Sequence, residues 1–112
     1  MTENAVPTRI TFRHMDPSPA VEARIRESAD KLASFHQRIT GCTVVVEARD
    51  PHRHRGNHFK VHIDLAVPGA ELAVSRDGGL DDGHEDVYVA IRDAFDAARR
   101  RLQDHAQRSS AA

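Results

Sequence analysis

The stretch His58-Phe59-Lys60-Val61-His62-Ile63-Asp64-Leu65-Ala66-Val67 alternates without a break. Phe59, Val61, Ile63, Leu65 and Val67 fall on one face; His58, Lys60, His62 and Asp64 fall on the other. A period of two belongs to a β-strand with one side in a core. The register is specified, because a slip by one residue would bury Lys60 and His62 instead. Pro68-Gly69 follows as a turn, and Glu71 to Arg76 then reads as a strand burying Leu72 and Val74. On the other side, His52 to Asn57 is a polar turn, and Asp50-Pro51 ends the β-rich run Cys42 to Arg49. Three strands therefore follow one another in the middle of the chain.

Further out the period changes. Thr8 to Arg13 alternates as a short strand with Ile10 and Phe12 inward. Ser18 is a candidate N-cap, and Pro19 suits a first helical position, where its missing N–H costs nothing. Val21, Ile25, Ser28, Ala29, Leu32 and Phe35 then recur at helical spacing, and Gly41 is the stop. Asp77 to Gly83 is a loop. Glu85 to about Gln107 predicts a second helix with Val87, Ile91, Ala94, Phe95, Ala98 and Leu102 inward. Glu85 and Asp86 lie near its start and Arg99, Arg100, Arg101 and Arg108 near its end, as the helix dipole favours. The order β-α-β-β-β-α predicts an α+β fold, a four-stranded sheet with two helices packed on one face. Residues 1–7 are expected to be a flexible N-terminus, 8–108 a single domain, and 109–112 a disordered tail.

The chain has 112 residues, a usual length for one domain. Its single cysteine, Cys42, lies in an apolar run and reads as a small buried hydrophobe. Met1 to Pro7 lacks the pattern of a signal peptide, and no run reaches the ~18 apolar residues of a membrane span. The expected location is cytoplasmic. Sixteen basic residues face 17 acidic ones, a net charge of −1. Any polyanion-binding surface must come from segregation of charge.

No nucleophile elbow, phosphate-cradling glycine loop or CxxC pair is present, so the chain reads as non-enzymatic, without a small-molecule substrate. The cluster His52, His54, His58 and His62 has metal-ligand chemistry. His58 and His62 would stand ~13 Å apart on an extended strand, too far to share one ion. A polar, partly cationic surface is the preferred reading, with no metal and no cofactor expected.

The cations form flanks. Arg24, Lys31 and Arg38 are spaced by seven and form a stripe along one flank of the first helix. On the second helix Tyr88, Arg92 and Arg99 share one flank, Arg101 and Arg108 the other, and Arg100 points outward. Arg53, Arg55 and Lys60 add charge among the histidines. An arginine fork can bind two phosphate oxygens, and a tyrosine can stack on a base. The same residues also suit solvated helix faces paired locally with Glu27, Asp96 and Asp104.

Ile10-Thr11, Asp30-Lys31-Leu32 through Phe35 to Arg38-Ile39, Val44-Val45-Val46, and above all Glu85 to Ile91 resemble the ribosome hibernation-promoting and ribosome-associated inhibitor family (sigma-54 modulation proteins), in its short, single-domain form. Asp86, Tyr88, Ala90 and Ile91 fill that family's D-x-Y-x-A-I motif. The resemblance spans about residues 9 to 108. It implies a fold similar to double-stranded RNA-binding domains. It also implies binding to the small ribosomal subunit and its rRNA near the decoding centre, with silencing of idle ribosomes. Lys31, Arg38, Arg100 and Arg108 carry over as RNA-binding positions; Arg24, Arg53, Arg55, Lys60, Arg92, Arg99 and Arg101 are added from face geometry. Ala97, Asp104 and Glu22 stand where a basic residue is common in the family, which implies fewer phosphate contacts. A second function class stays open: a histidine-rich stress or interaction module on the same fold, binding a metal or a protein without ribosome binding.

Overall fold

The computed structural model describes residues 6–35, 38–48, 59–77 and 87–111. Its elements are β1 (Thr8–Arg13), α1 (Pro19–Phe35), β2 (Gly41–Ala48), β3 (Phe59–Val67), β4 (Ala70–Asp77) and α2 (Val87–Ala111). The β-α-β-β-β-α order and the α+β class are as the sequence patterns predict. The bounds differ by a residue or so in the strands. At its end α2 passes the expected Gln107 and runs to Ala111. Its start at Glu85 and Asp86, and the segments holding His52, Arg53, His54, Arg55 and His58, lie outside the described residues.

The sheet runs β1-β2-β3-β4, with β1 and β2 parallel and the other pairs antiparallel. A parallel pair cannot be closed by a tight turn, and α1 supplies the crossover. That helix starts where the sequence indicates. Ser18 caps it, its hydroxyl accepting from Val21 N–H at 3.2 Å and its carbonyl from Glu22 N–H at 2.9 Å. Arg26 fastens the helix to β1 by donating from Nη1 to the Thr8 carbonyl at 3.1 Å. The β3–β4 hairpin turns at Pro68-Gly69, where Gly69 takes φ +79°, a conformation that costs a residue with a Cβ much more.

Alternation then sorts the strands into two faces. Cys42, Val44, Val46, Val61, Ile63, Leu65 and Leu72 are buried beneath the helices. They meet Val21, Ile25, Ala29 and Leu32 from α1, and Ala90, Ile91, Ala94, Phe95, Ala98 and Leu102 from α2. Helix α2 lies over β3 and β4, with α1 alongside it towards β1. Burial and, secondarily, the negative charge of Asp64 push the Cys42 thiol up to about 11, so it is a neutral core group at ordinary pH.

The opposite sheet face carries no helix among the described residues. Lys60 is exposed there, and His62 and Asp64 are half-buried. The register sets Lys60 beside Glu47 and Asp77, and His62 beside Val45 and Ser75. The His62 ring is held at both nitrogens: Nε2 lies 3.1 Å from each Asp64 carboxylate oxygen, and Nδ1 lies 3.3 Å from the Ser75 hydroxyl. With Nε2–H donating to the carboxylate, a neutral ring accepts the Ser75 proton at Nδ1.

Candidate nucleic-acid interface

Where α1 and α2 lie side by side they leave a cleft of about 860 Å³. Each helix offers it residues at the same spacing. Arg24, Ser28, Lys31 and Phe35 come from α1, and Tyr88, Arg92, Phe95 and Arg99 from α2, both in steps of four, three and four. That series follows one line down an α-helix, at the border of the apolar stripe. Leu32, Ile91 and Phe95 are the buried side chains of the lining. Glu27, Ser34, Val89 and Asp96 complete it.

Among the described residues the cations in this lining are Arg24, Lys31, Arg92 and Arg99, and the anions are Glu27 and Asp96, a balance of +2 in the described lining against −1 for the chain as a whole. At one end the Arg24 guanidinium carbon lies 5.0 Å from the centre of the Tyr88 ring, with Nε 3.7 Å from Glu27 Oε1. At the other end the Arg99 guanidinium carbon lies 4.4 Å from the centre of the Phe35 ring. Between the ends, Arg92 Nη2 donates to Asp93 Oδ1 at 3.4 Å. These ion pairs are substantially exposed, with the Arg24 side chain 52% accessible, and exposed pairs hold their partners weakly. The cations are thus free to turn towards an incoming phosphate.

Five of the expected RNA-binding residues, Arg24, Lys31, Tyr88, Arg92 and Arg99, are brought together here. The others are not. Arg38 lies in an exposed turn three residues past the last residue of α1, so the stripe of Arg24, Lys31 and Arg38 does not continue as one helical line. Arg100 and Arg108 are exposed and Arg101 half-buried on α2, none of them in the lining. Lys60 is on the sheet face away from both helices, because it alternates with the buried Val61 and the half-buried Phe59. Arg53 and Arg55 lie outside the described residues.

Two features of the cleft go beyond the sequence reading. Phe35, expected in the α1 core stripe, is 51% exposed and pairs with Arg99 at the rim. Glu27 and Asp96 line the cleft itself instead of a remote solvated face. The repeated spacing of 24, 28, 31, 35 and 88, 92, 95, 99 was the available signal for Phe35; Glu27 and Asp96 stand outside that series.

The chain matches a family model, described as sigma 54 modulation protein / S30EA ribosomal protein, over residues 8–110. A sequence comparison with curated proteins returns no match. Among solved structures the fold is similar to a ribosomal subunit interface protein from Coxiella burnetii. The TM-score is 0.75 and the identity 12%, covering 91% of this chain and 99% of that one. It is also similar to the N-terminal domain of Protein Y from Thermus thermophilus, with a TM-score of 0.68 and 15% identity, covering 89% of this chain and 97% of that one.

Proposed function

Because the chain belongs to the sigma 54 modulation protein / S30EA ribosomal protein family, we propose that it is a ribosome-associated translational inhibitor. It acts without catalysis, docking through the interhelical cleft on the small subunit near the decoding centre and silencing idle ribosomes in the cytoplasm. The observation that carries this reading is the segregation of charge, a balance of +2 among the described residues of the cleft on a chain of net −1. Phosphate backbones dominate affinity for nucleic acid, and a locally cationic surface suffices even where the whole protein is neutral. Support for the ribosome as partner comes from the family and from the subunit interface protein that shares the fold. Arg38, Arg100 and Arg108, exposed at the ends and outer side of the helices, extend the contact beyond the cleft. The histidine-rich alternative draws no support from the described residues, since His52, His54 and His58 lie outside them.

The test is translation in vitro. Purified protein titrated into a reconstituted system should suppress synthesis at stoichiometry near that of ribosomes. Reversal of Lys31, Arg38, Arg100 and Arg108 to glutamate should relieve the inhibition while the thermal midpoint holds, because all four lie off the buried stripes. Full synthesis in the presence of excess wild-type protein would remove the proposal.

A further inference from the structure

Resting on the reading that the cleft meets ribosomal RNA, we propose that it takes a single-stranded segment, with an unpaired base joined to an Arg–aromatic stack at each end. The two ends are built alike with the order inverted: arginine from α1 over a ring of α2 at Arg24–Tyr88, arginine from α2 over a ring of α1 at Arg99–Phe35. On each helix the two positions are eleven residues apart, about 16.5 Å at 1.5 Å per residue. A strand stacked at about 3.4 Å per nucleotide covers that distance with about five nucleotides.

Three observations favour an unpaired strand over a duplex. A duplex turns its phosphates outward and keeps its bases in the stack, so it has no use for an exposed ring. Phe35 is nevertheless the one large apolar side chain left exposed among the described residues, and it stands in the cleft. Guanidinium and aromatic planes both stack on unpaired bases, and a base added to either pair extends a stack already formed. Finally, Glu27 and Asp96 repel phosphate, but a carboxylate accepts from an exocyclic amino group, whose protons an unpaired base presents in full on its Watson–Crick edge. Lys31 and Arg92, between the two stacks, are placed to neutralise the connecting phosphates.

The full chain reports on the site directly, because Tyr88 is its only tyrosine and it has no tryptophan. Mixed-sequence oligoribonucleotides of three and six residues, an abasic hexamer and a twelve-pair RNA duplex are titrated, reading anisotropy of labelled RNA and, with unlabelled RNA, tyrosine emission. The hexamer should quench Tyr88 and bind at least tenfold more tightly than the trimer, which cannot reach both stacks, and than the abasic strand. Phe35→Leu should weaken hexamer binding on the order of tenfold, the usual worth of one base–ring stack, with unchanged thermal midpoint and duplex binding. Equal binding of abasic and normal hexamers, or an unchanged hexamer affinity in Phe35→Leu, overturns the proposal. If either occurs while the protein still sediments with small subunits, the ribosome reading stands without it. Hexamer binding with the expected base dependence but no sedimentation with subunits upholds the strand preference and removes the ribosome reading.

Discussion

Replacing Lys31 and Arg92 with glutamine removes the two cations that stand between the stacks, leaving Arg24 and Arg99 at the ends. Both residues are exposed and neither belongs to the core, so the fold should tolerate the pair of changes. The magnitude follows from counterion release. Each cation engaging a phosphate of a single strand contributes about 0.7 to the slope of log affinity against log salt. Four cleft cations then give a slope of about −2.8, and two give about −1.4. Raising salt from 50 to 200 mM should weaken wild-type binding to single-stranded RNA by about fifty-fold and the double variant by only about sevenfold. The assay is a set of anisotropy titrations at four salt concentrations, with a thermal melt of each protein as control. Parallel salt slopes for the two proteins, whatever the absolute affinities, would refute the placement of phosphate along the middle of the cleft.

Other consequences are more local. Phe95 is 7% exposed and belongs to the core as well as the cleft, so Phe95→Ala should cost about 3–5 kcal/mol in a denaturant titration. Lys60→Gln should change small-subunit affinity much less than Lys31→Gln, since Lys60 is on the sheet face turned from the cleft; an equal loss would add that face to the interface. Cys42, with its thiol raised to about 11 from 9.0, favours the folded state fully below pH 9 and loses that contribution as pH rises towards 11. Cys42→Ala should therefore flatten the fall in melting temperature between pH 9 and 11, and the native thiol should react with a disulfide reagent only as fast as the core opens.

The elements that local pattern can specify were legible in the chain. The alternation of Phe59 to Val67 gave the strand, its inward face and, through the buried Val61, Ile63 and Leu65, the side on which the helices lie. Ser18-Pro19 marked the start of α1 to the residue, because capping chemistry is local. Misplacements came where periodicity was extended past a helix end. Arg38 holds its seven-residue phase only if the helix continues, and α1 stops at Phe35. Phe35 keeps the apolar phase, but as the last residue of α1 it reaches the rim, where Arg99 covers it. The cleft itself was half-visible. The flank Tyr88, Arg92 and Arg99 could be drawn on one helix alone, but its meeting with Arg24 and Lys31 depends on how two helices far apart in the chain pack on one sheet. The strand alternation also placed Lys60 on the face opposite the core, where the structure has it.

Sedimentation of the purified protein with isolated ribosomal subunits at low salt tests the central claim most directly, comparing wild type with a variant in which Arg24, Lys31, Arg92 and Arg99 are all glutamine. The wild-type chain should pellet with the small subunit and not with the large one. The variant, folded by its melting profile, should remain in the supernatant. Wild-type protein left in the supernatant with both subunits, or a variant that pellets as well as wild type, would contradict the assignment of this cleft as the ribosome-binding surface.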